Sequence, residues 1–491
     1  MIFIERPPKI FNQAERIRNR SIAFALLSIL ALCFFIKFRQ FGIDDGFIVL
    51  RYVDNIVHGR GWTFNPGEDY NASTSVLNTV VITIIALVAG DPLRASIIAG
   101  CFAVLCSGIC FYLLLEERCS AIVAAVAAGA LMYFLSENGT WGLETNMFIG
   151  LILLFVLIEE RKGNGWWILG LIVLARPEGL VLVAFKVARE ILRDRRVPIV
   201  GMATIAAICA PWIIFSLIRF GQLAPATLRQ KLWQGSSGFW GTGHIYVNML
   251  IRAAHNDFLE HGRWGLLLMI PLAAGAARVV RERSGLLYFV GFAAVQQIAY
   301  IVMNIPGYNW YFAPAEAIGC ILVLIGLVDL GSLIHPRLPA WLRPVLPFAG
   351  PAIAIIGAVV TVSRYAQYLG HPIVDPRTTA YTSLAIDITG RVRNPSIAAR
   401  EVGVVGYYSH ARMVDLTGLT NRDPEFLTKD HMDRFFSIAP DVVIITDTID
   451  AMEKSITTDP RFAANYRLAN TIVTPRYRTM HYYIRFADST P

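Results

Sequence analysis

Two adjacent carboxylates, Asp44 and Asp45, follow the first long apolar run of the chain, with Gly46 leaving room beside them. Ionisable groups at the edge of an apolar span are costly to keep and point to function. A carboxylate placed there can take a proton from a hydroxyl as a general base. Cations nearby can hold a departing phosphate, and two positions offer them: Arg176, in Arg176-Pro177-Glu178-Gly179, and Lys231, in a long polar stretch. The plain alternatives are structural. Asp44 and Asp45 can cap a helix, since carboxylates interact favourably with a helix N-terminus. Arg176 can pair with Glu178, and Lys231 can be a solvated loop charge. His58 and His255 have no metal-ligand spacing with another His or a Cys, so no metal site is indicated. A divalent ion on the adjacent carboxylates is not the favoured reading.

The elements that must position these groups follow from periodicity. Between Gly46 and His58, Arg51, Asp54, Asn55 and His58 fall on one side and Val49, Tyr52, Val53 and Ile56 on the other. That spacing predicts an amphipathic helix along a membrane surface, followed by a turn at Asn65-Pro66-Gly67. With 55% hydrophobic and 16% charged residues over 491 positions, against roughly 25% charged in soluble proteins, the chain reads as a polytopic membrane protein. The net charge of +8 fits membrane orientation better than nucleic-acid binding. All seven cysteines lie in apolar spans or at their ends, which gives no disulfide framework.

Apolar runs predict eleven spans near 21–37, 94–115, 120–136, 146–158, 165–175, 178–188, 197–218, 264–280, 285–303, 311–333 and 345–363. The run 73–89 is ambiguous. If it does not cross, the cytoplasmic segments 1–20, 116–120, 159–165, 186–196, 278–284 and 334–344 hold 18 Lys and Arg, whereas the short outer loops 137–145 and 304–310 hold none. Basic residues favour the inside, so 73–89 is read as lying at the surface, with the N-terminus in and the C-terminus out. Runs 165–175 and 178–188 are each too short to cross, and the Arg-Pro-Glu-Gly between them predicts a broken hairpin whose tip lines a polar cavity. The resulting organisation is a membrane domain over 1–363, with outer loops 41–92 and 219–263, and a soluble outer α/β domain over 364–491. In that domain strands are expected at 402–405, 442–446 and 482–486, and a helix over 423–437.

Asp44-Asp45-Gly46-Phe47-Ile48-x-x-Arg51-Tyr52-x-x-Asn55-Ile56, followed by Gly59-x-Gly61-x-x-Phe64-Asn65-Pro66-Gly67-Glu68, resembles the first outer loop of bacterial GT-C glycosyltransferases. It is most similar to the branch containing the mycobacterial terminal arabinofuranosyltransferases. Trp141-Gly142-Leu143-Glu144-Thr145, Arg176-Pro177-Glu178-Gly179, Pro225-x-Thr227-x-x-x-Lys231, Gly403-x-x-Gly406-Tyr407-Tyr408 and Asp415-Leu416-x-Gly418-Leu419 match that branch in order. The chain departs at Ala226, where the branch shows asparagine.

The resemblance implies a polytopic helical GT-C fold in the cytoplasmic membrane with an extracytoplasmic α/β domain. It implies sugar transfer from a polyprenyl-phosphate donor to a hydroxyl of a glycan, lipid or protein at the outer face, with no cofactor and with arabinofuranose as the leading sugar. The base then falls on Asp44 or Asp45, with Asp44 preferred and the reverse assignment open. Arg176 and Lys231 are expected at the donor phosphate. Arg51, Glu144, Trp310 and Tyr311 are expected at sugar or acceptor, against helix capping for Glu144 and an aromatic belt for Tyr308, Trp310 and Tyr311. A hexosyltransferase with another acceptor is the near rival. A flippase for lipid-linked sugars would place polar groups at the midplane and show paired repeats, and this chain shows neither.

Overall fold

The computed structural model describes residues 13–138, 140–222, 227–238, 241–259, 264–334, 363–420, 431–447, 451–474 and 477–486. Ten of the eleven apolar runs fall on helices; 345–362 lies outside the described residues. The bundle comprises α1 (Gln13–Phe38), α4 (Pro92–Leu115), α5 (Ala121–Asn138), α6 (Thr145–Lys162), α7 (Trp166–Ala175), α8 (Leu180–Asp194), α9 (Ile199–Phe220), α13 (Met269–Arg281), α14 (Leu286–Met303) and α15 (Asn309–Ile334). Between them stand the shorter α2 (Asp44–Val57), α3 (Val76–Ala89), α10 (Thr227–Ser236), α11 (Ile245–Leu259) and α12 (Trp264–Leu267). Six of the described helices, α1, α4, α5, α9, α14 and α15, are long and apolar enough to cross a membrane.

Helix α3 carries the run that was ambiguous by sequence. Its 14 residues rise about 21 Å at 1.5 Å each, short of a hydrocarbon core of about 30 Å. Ser75 caps it by accepting from Asn78 N, and Gly90 ends it in the left-handed conformation. Its inner face packs on α2, α4 and α7, while Ile84, Leu87 and Val88 are exposed.

The hairpin is present. Helix α7 stops at Arg176, whose backbone is extended, and Pro177–Gly179 forms a single 3-10 turn before α8. Helix α8 returns alongside α7, so that Lys186 lies over the Trp166 ring at 5.1 Å and its Nζ meets Glu159 at 2.8 Å. The tip therefore holds Arg176 at the end of the bundle that faces the soluble domain.

In the soluble domain β1 (Ser396–Ala399), β2 (Arg412–Asp415), β3 (Val442–Thr446), β4 (Tyr466–Ile472) and β5 (Met480–Arg485) form one sheet in the order β2-β1-β3-β5-β4. Strands β1, β2 and β3 are parallel, whereas β5 is antiparallel to both β3 and β4. The strands expected at 442–446 and 482–486 are β3 and β5. The one expected at 402–405 is instead the start of the helix Gly403–Ser409, because a contact from the membrane domain overrides the β propensity of its valines. Of the helix expected over 423–437, His431–Ile438 is helical and 421–430 lies outside the described residues.

Helix α2 is the seam between the two domains. The amphipathic pattern is correct, but most of its polar face is covered and only His58 at its end meets solvent. Arg51, Asp54 and Asn55 are buried with Phe47, Tyr52 and Val53, because the helix Gly403–Ser409 lies against them.

Candidate active site

The first turn of α2 points its two carboxylates in different directions. Asp44 is 2% exposed and accepts from the backbone N–H of Gly403 at 3.1 Å and of Val404 at 2.8 Å. Gly403 is obligatory there, since a Cβ would lie 1.8 Å from the Asp44 carbonyl oxygen. Burial, followed by the negative charge of Glu401, holds the Asp44 carboxyl well above the usual carboxylate range. Asp44 is thus a tie to the soluble domain.

Asp45 is only partly buried. Burial raises its carboxyl and the Lys231 ammonium opposes that rise, with Glu401, Arg377 and Asp415 acting more weakly. A carboxylate of raised basicity suits a group that must accept a proton.

Gly46 leaves no space for a ligand. A Cβ there would lie 3.0 Å from Trp141 O and 3.4 Å from Gly142 Cα, so the α2 backbone packs directly on the Trp141-Gly142 turn. Asn78 Nδ2 donates to Gly142 O at 3.2 Å, and Trp141 stacks on Phe38 at 4.7 Å. This contact brings Glu144 near enough for Asp45 to act on it electrostatically. Glu144 is buried and its side chain makes no N-cap hydrogen bond. Burial raises its carboxyl and Arg176 opposes the rise.

Arg176 is held by the protein on several sides. It donates to Trp310 O at 3.1 Å, to Glu178 Oε1 at 2.9 Å and to Tyr300 OH at 3.4 Å, with Glu144 Oε1 3.7 Å from its Nε. The pairing with Glu178 anticipated as the plain alternative is therefore real, and it extends to a second carboxylate.

Lys231 differs. It lies on α10 with its Nζ 4.1 Å from the Tyr308 ring centroid. Burial acts to lower its ammonium, but Tyr308, Tyr311 and Asp45 outweigh this and raise it. The side chain stays charged. Trp310 stacks on Tyr308 at 4.7 Å and 10°, and the Tyr311 ring lies 5.9 Å from the Arg176 guanidinium, so both aromatics stand beside the cations. The Pro225-Ala226 part of the loop motif lies outside the described residues.

Arg51 is the expected site residue that the structure places elsewhere. Its guanidinium, 3% exposed, donates to Phe64 O at 2.7 Å, to Ala411 O at 2.6 Å and to Gly406 O. It fastens α2 to the soluble domain and makes no contact with the cluster around Lys231. The sequence reading missed Tyr300, which hydrogen-bonds Glu178, and Arg377, Glu401 and Gly403. The Gly403-x-x-Gly406 spacing carried a signal for the last: Asp44 approaches one glycine and Arg51 the other.

Residues 385–486 match a family model described as a domain of unknown function, DUF8728. The chain is 27% identical over 341 residues to a terminal beta-(1->2)-arabinofuranosyltransferase of Mycobacterium tuberculosis, covering 60% of this chain and 53% of that one. It is 29% identical over 278 residues to the protein of the same name from Corynebacterium glutamicum, covering 49% and 39%. The chain thus spans about half the length of the first of these relatives and less of the second. Among solved structures, ArnT from Cupriavidus metallidurans bound to undecaprenyl phosphate superposes with a TM-score of 0.56 at 14% identity, over 96% of this chain and 98% of that one. Its apo state gives 0.60 over 95% and 98%. The first likeness is of sequence and the second of fold alone, and together they make the chain a membrane protein of the GT-C fold related to the terminal arabinofuranosyltransferases.

Proposed function

We propose that the chain transfers a sugar from a polyprenyl-phosphate donor to an acceptor hydroxyl at the outer face of the cytoplasmic membrane. The observation that carries this reading is Asp45, a partly exposed carboxylate in the first turn of α2 at the junction of bundle and soluble domain, raised by burial and within the influence of the buried Lys231 ammonium. Asp45 takes the proton of the acceptor hydroxyl as its oxygen bonds to the anomeric carbon. The bond from that carbon to the phosphate oxygen breaks, and the phosphate leaves with the electron pair toward Lys231. A single displacement of this kind inverts the anomeric centre. Because phosphate is already a good leaving group, one base and fixed positive charge suffice, and the reaction asks for no metal. Arg176, held between Glu144 and Glu178, positions those carboxylates and the Trp310 backbone.

The fold neighbour captured with undecaprenyl phosphate supports the carrier, and the names of the sequence relatives support arabinofuranose. The acceptor is a cell-envelope glycan, lipid or protein. The test is to supply the full chain in nanodiscs with radiolabelled polyprenyl-phosphate arabinose, mannose and glucose and to measure transfer and donor hydrolysis. Turnover of the arabinose donor, abolished in Asp45→Asn, is expected. Turnover of none, or full activity in Asp45→Asn, overturns the reading.

A further inference from the structure

We propose that Arg377 and Glu401 of the soluble domain, with the Tyr477 ring, form the subsite that receives a polyhydroxylated acceptor beside the first turn of α2. This rests on the transferase reading above and goes beyond it by assigning an acceptor site.

The helix Pro376–Arg391 is capped by Asp375, which accepts from Arg377 N. Its first turn is fastened to the membrane domain by Thr378 Oγ1, which donates to Gly42 O at 2.6 Å, two residues before Asp44. From the other side the segment leading into Gly403–Ser409 arrives at the same turn of α2, through the bonds from Gly403 and Val404 to Asp44. The two segments bring Arg377 and Glu401 together at 3.2 Å. Charges on both reach Asp45.

The pair is not sealed. The Arg377 side chain is 41% exposed and that of Glu401 23%, unlike the buried ties on either side of it. The Arg377 guanidinium lies 5.8 Å from the Tyr477 ring centroid. Guanidinium, carboxylate and aromatic ring together offer donors, acceptors and an apolar face, the combination that a sugar ring with several hydroxyls can satisfy. The soluble domain does not depend on this pair for its seat, because Asp44, Arg51 and Gln230, which donates to Gly418 O at 2.7 Å, already anchor it. Donor charge is thus met by Lys231, acceptor hydroxyls by Arg377 and Glu401, and the proton by Asp45.

The full chain in nanodiscs is assayed with decaprenyl-phosphoryl arabinose as donor and octyl arabinofuranoside as acceptor, beside donor hydrolysis without acceptor. Arg377→Ala, Glu401→Gln and Tyr477→Leu are expected to raise the acceptor KM at least ten-fold. Donor KM, donor hydrolysis and kcat at saturating acceptor stay within about three-fold, a split that mere loosening of the fold would not produce. Should Arg377→Ala fail to fold, the isosteric Glu401→Gln and the distal Tyr477→Leu decide. An unchanged acceptor KM, or parallel loss of donor hydrolysis, overturns the inference while leaving the transferase intact. Absence of any donor turnover in the wild-type chain overturns the transferase reading instead, and the inference falls with it.

Discussion

Asp44 and Asp45 are neighbours in the first turn of α2 but meet different surroundings. Asp44 is turned to the soluble domain and accepts two backbone N–H groups; Asp45 is partly exposed and feels the charge of Lys231. A second pair shows the same contrast. Arg176 sits among carboxylates that neutralise it, and Lys231 sits among phenol rings. In each pair one member is fixed by the protein's own hydrogen bonds or ion pairs, and the other is the one that the proposed transfer uses. Burial alone does not separate them, since three of the four are buried. What separates them is whether the partner is a fixed protein group of opposite or complementary character.

The largest effect expected is in Asp45→Asn. Removing a general base costs about 10²- to 10⁴-fold in transfer, while donor binding measured by lipid competition stays intact. Asp44→Asn keeps one accepting oxygen but turns an NH₂ toward a backbone N–H. It is expected to lower the melting temperature and to reduce transfer by about ten-fold, in line with loss of one charge-assisted hydrogen bond. An inactive Asp44→Asn that melts like the wild type would reverse the two assignments.

Arg176→Met comes next, and its effect is on stability. It strands Glu144 and Glu178 without their cation, and breaking a buried pair costs about 3–5 kcal/mol. Adding Glu178→Gln to it is expected to recover part of the loss in thermal unfolding. Lys231→Met should fold normally and raise the donor KM by roughly 10- to 100-fold, the worth of one hydrogen bond to a charged group. If the two variants exchanged these phenotypes, the division between architectural and functional cation would be wrong.

A smaller effect is expected in the pH profile. Transfer needs Asp45 ionised, so activity is present above its pKa and lost as pH falls through it. Because burial raises that pKa, the acid limb should stand above the ordinary aspartate value of about 3.9. Lys231 lowers the Asp45 pKa, so Lys231→Met should move the limb to higher pH. A shift to lower pH would mean that Lys231 does not act on the base.

How much of this was legible in the sequence depended on how far apart the partners lie. The apolar helices and the hairpin tip were legible because apolar runs and Arg176-Pro177-Glu178-Gly179 are local signals, and helices follow them. Tyr308, Trp310 and Tyr311 could be placed at a helix start because the apolar run of α15 begins beside them. The work of Asp44 could not be read, because its donor at Gly403 is 359 residues away. Arg51 misled for the same reason. On a helix wheel it is a polar residue on a solvent face, and only the carbonyls of Gly406 and Ala411 show that face to be covered. Val402, Val404 and Val405 read as a strand because propensity knows nothing of the carboxylate that organises their N–H groups.

The smallest effect tests the seam on which both aspartates turn. In Gly46→Ala two terms oppose each other. Alanine in a helix is favoured over glycine by about 0.5–1 kcal/mol, whereas the new Cβ must press Trp141 O at 3.0 Å, tighter than an ordinary contact. Overall stability should change little, but the turn must give by a few tenths of an ångström and carry Glu144 away from Asp45. A two- to five-fold fall in kcat with an unchanged melting temperature is therefore expected. Gly142→Ala meets the same seam from the other side, with its Cβ 3.1 Å from Gly46 Cα and a backbone φ of +96° that disfavours any side chain. It gains no helix propensity to offset this and should lose stability as well as rate. Equal behaviour of the two variants would show that the Gly46–Gly142 contact does not set the distance between base and bundle.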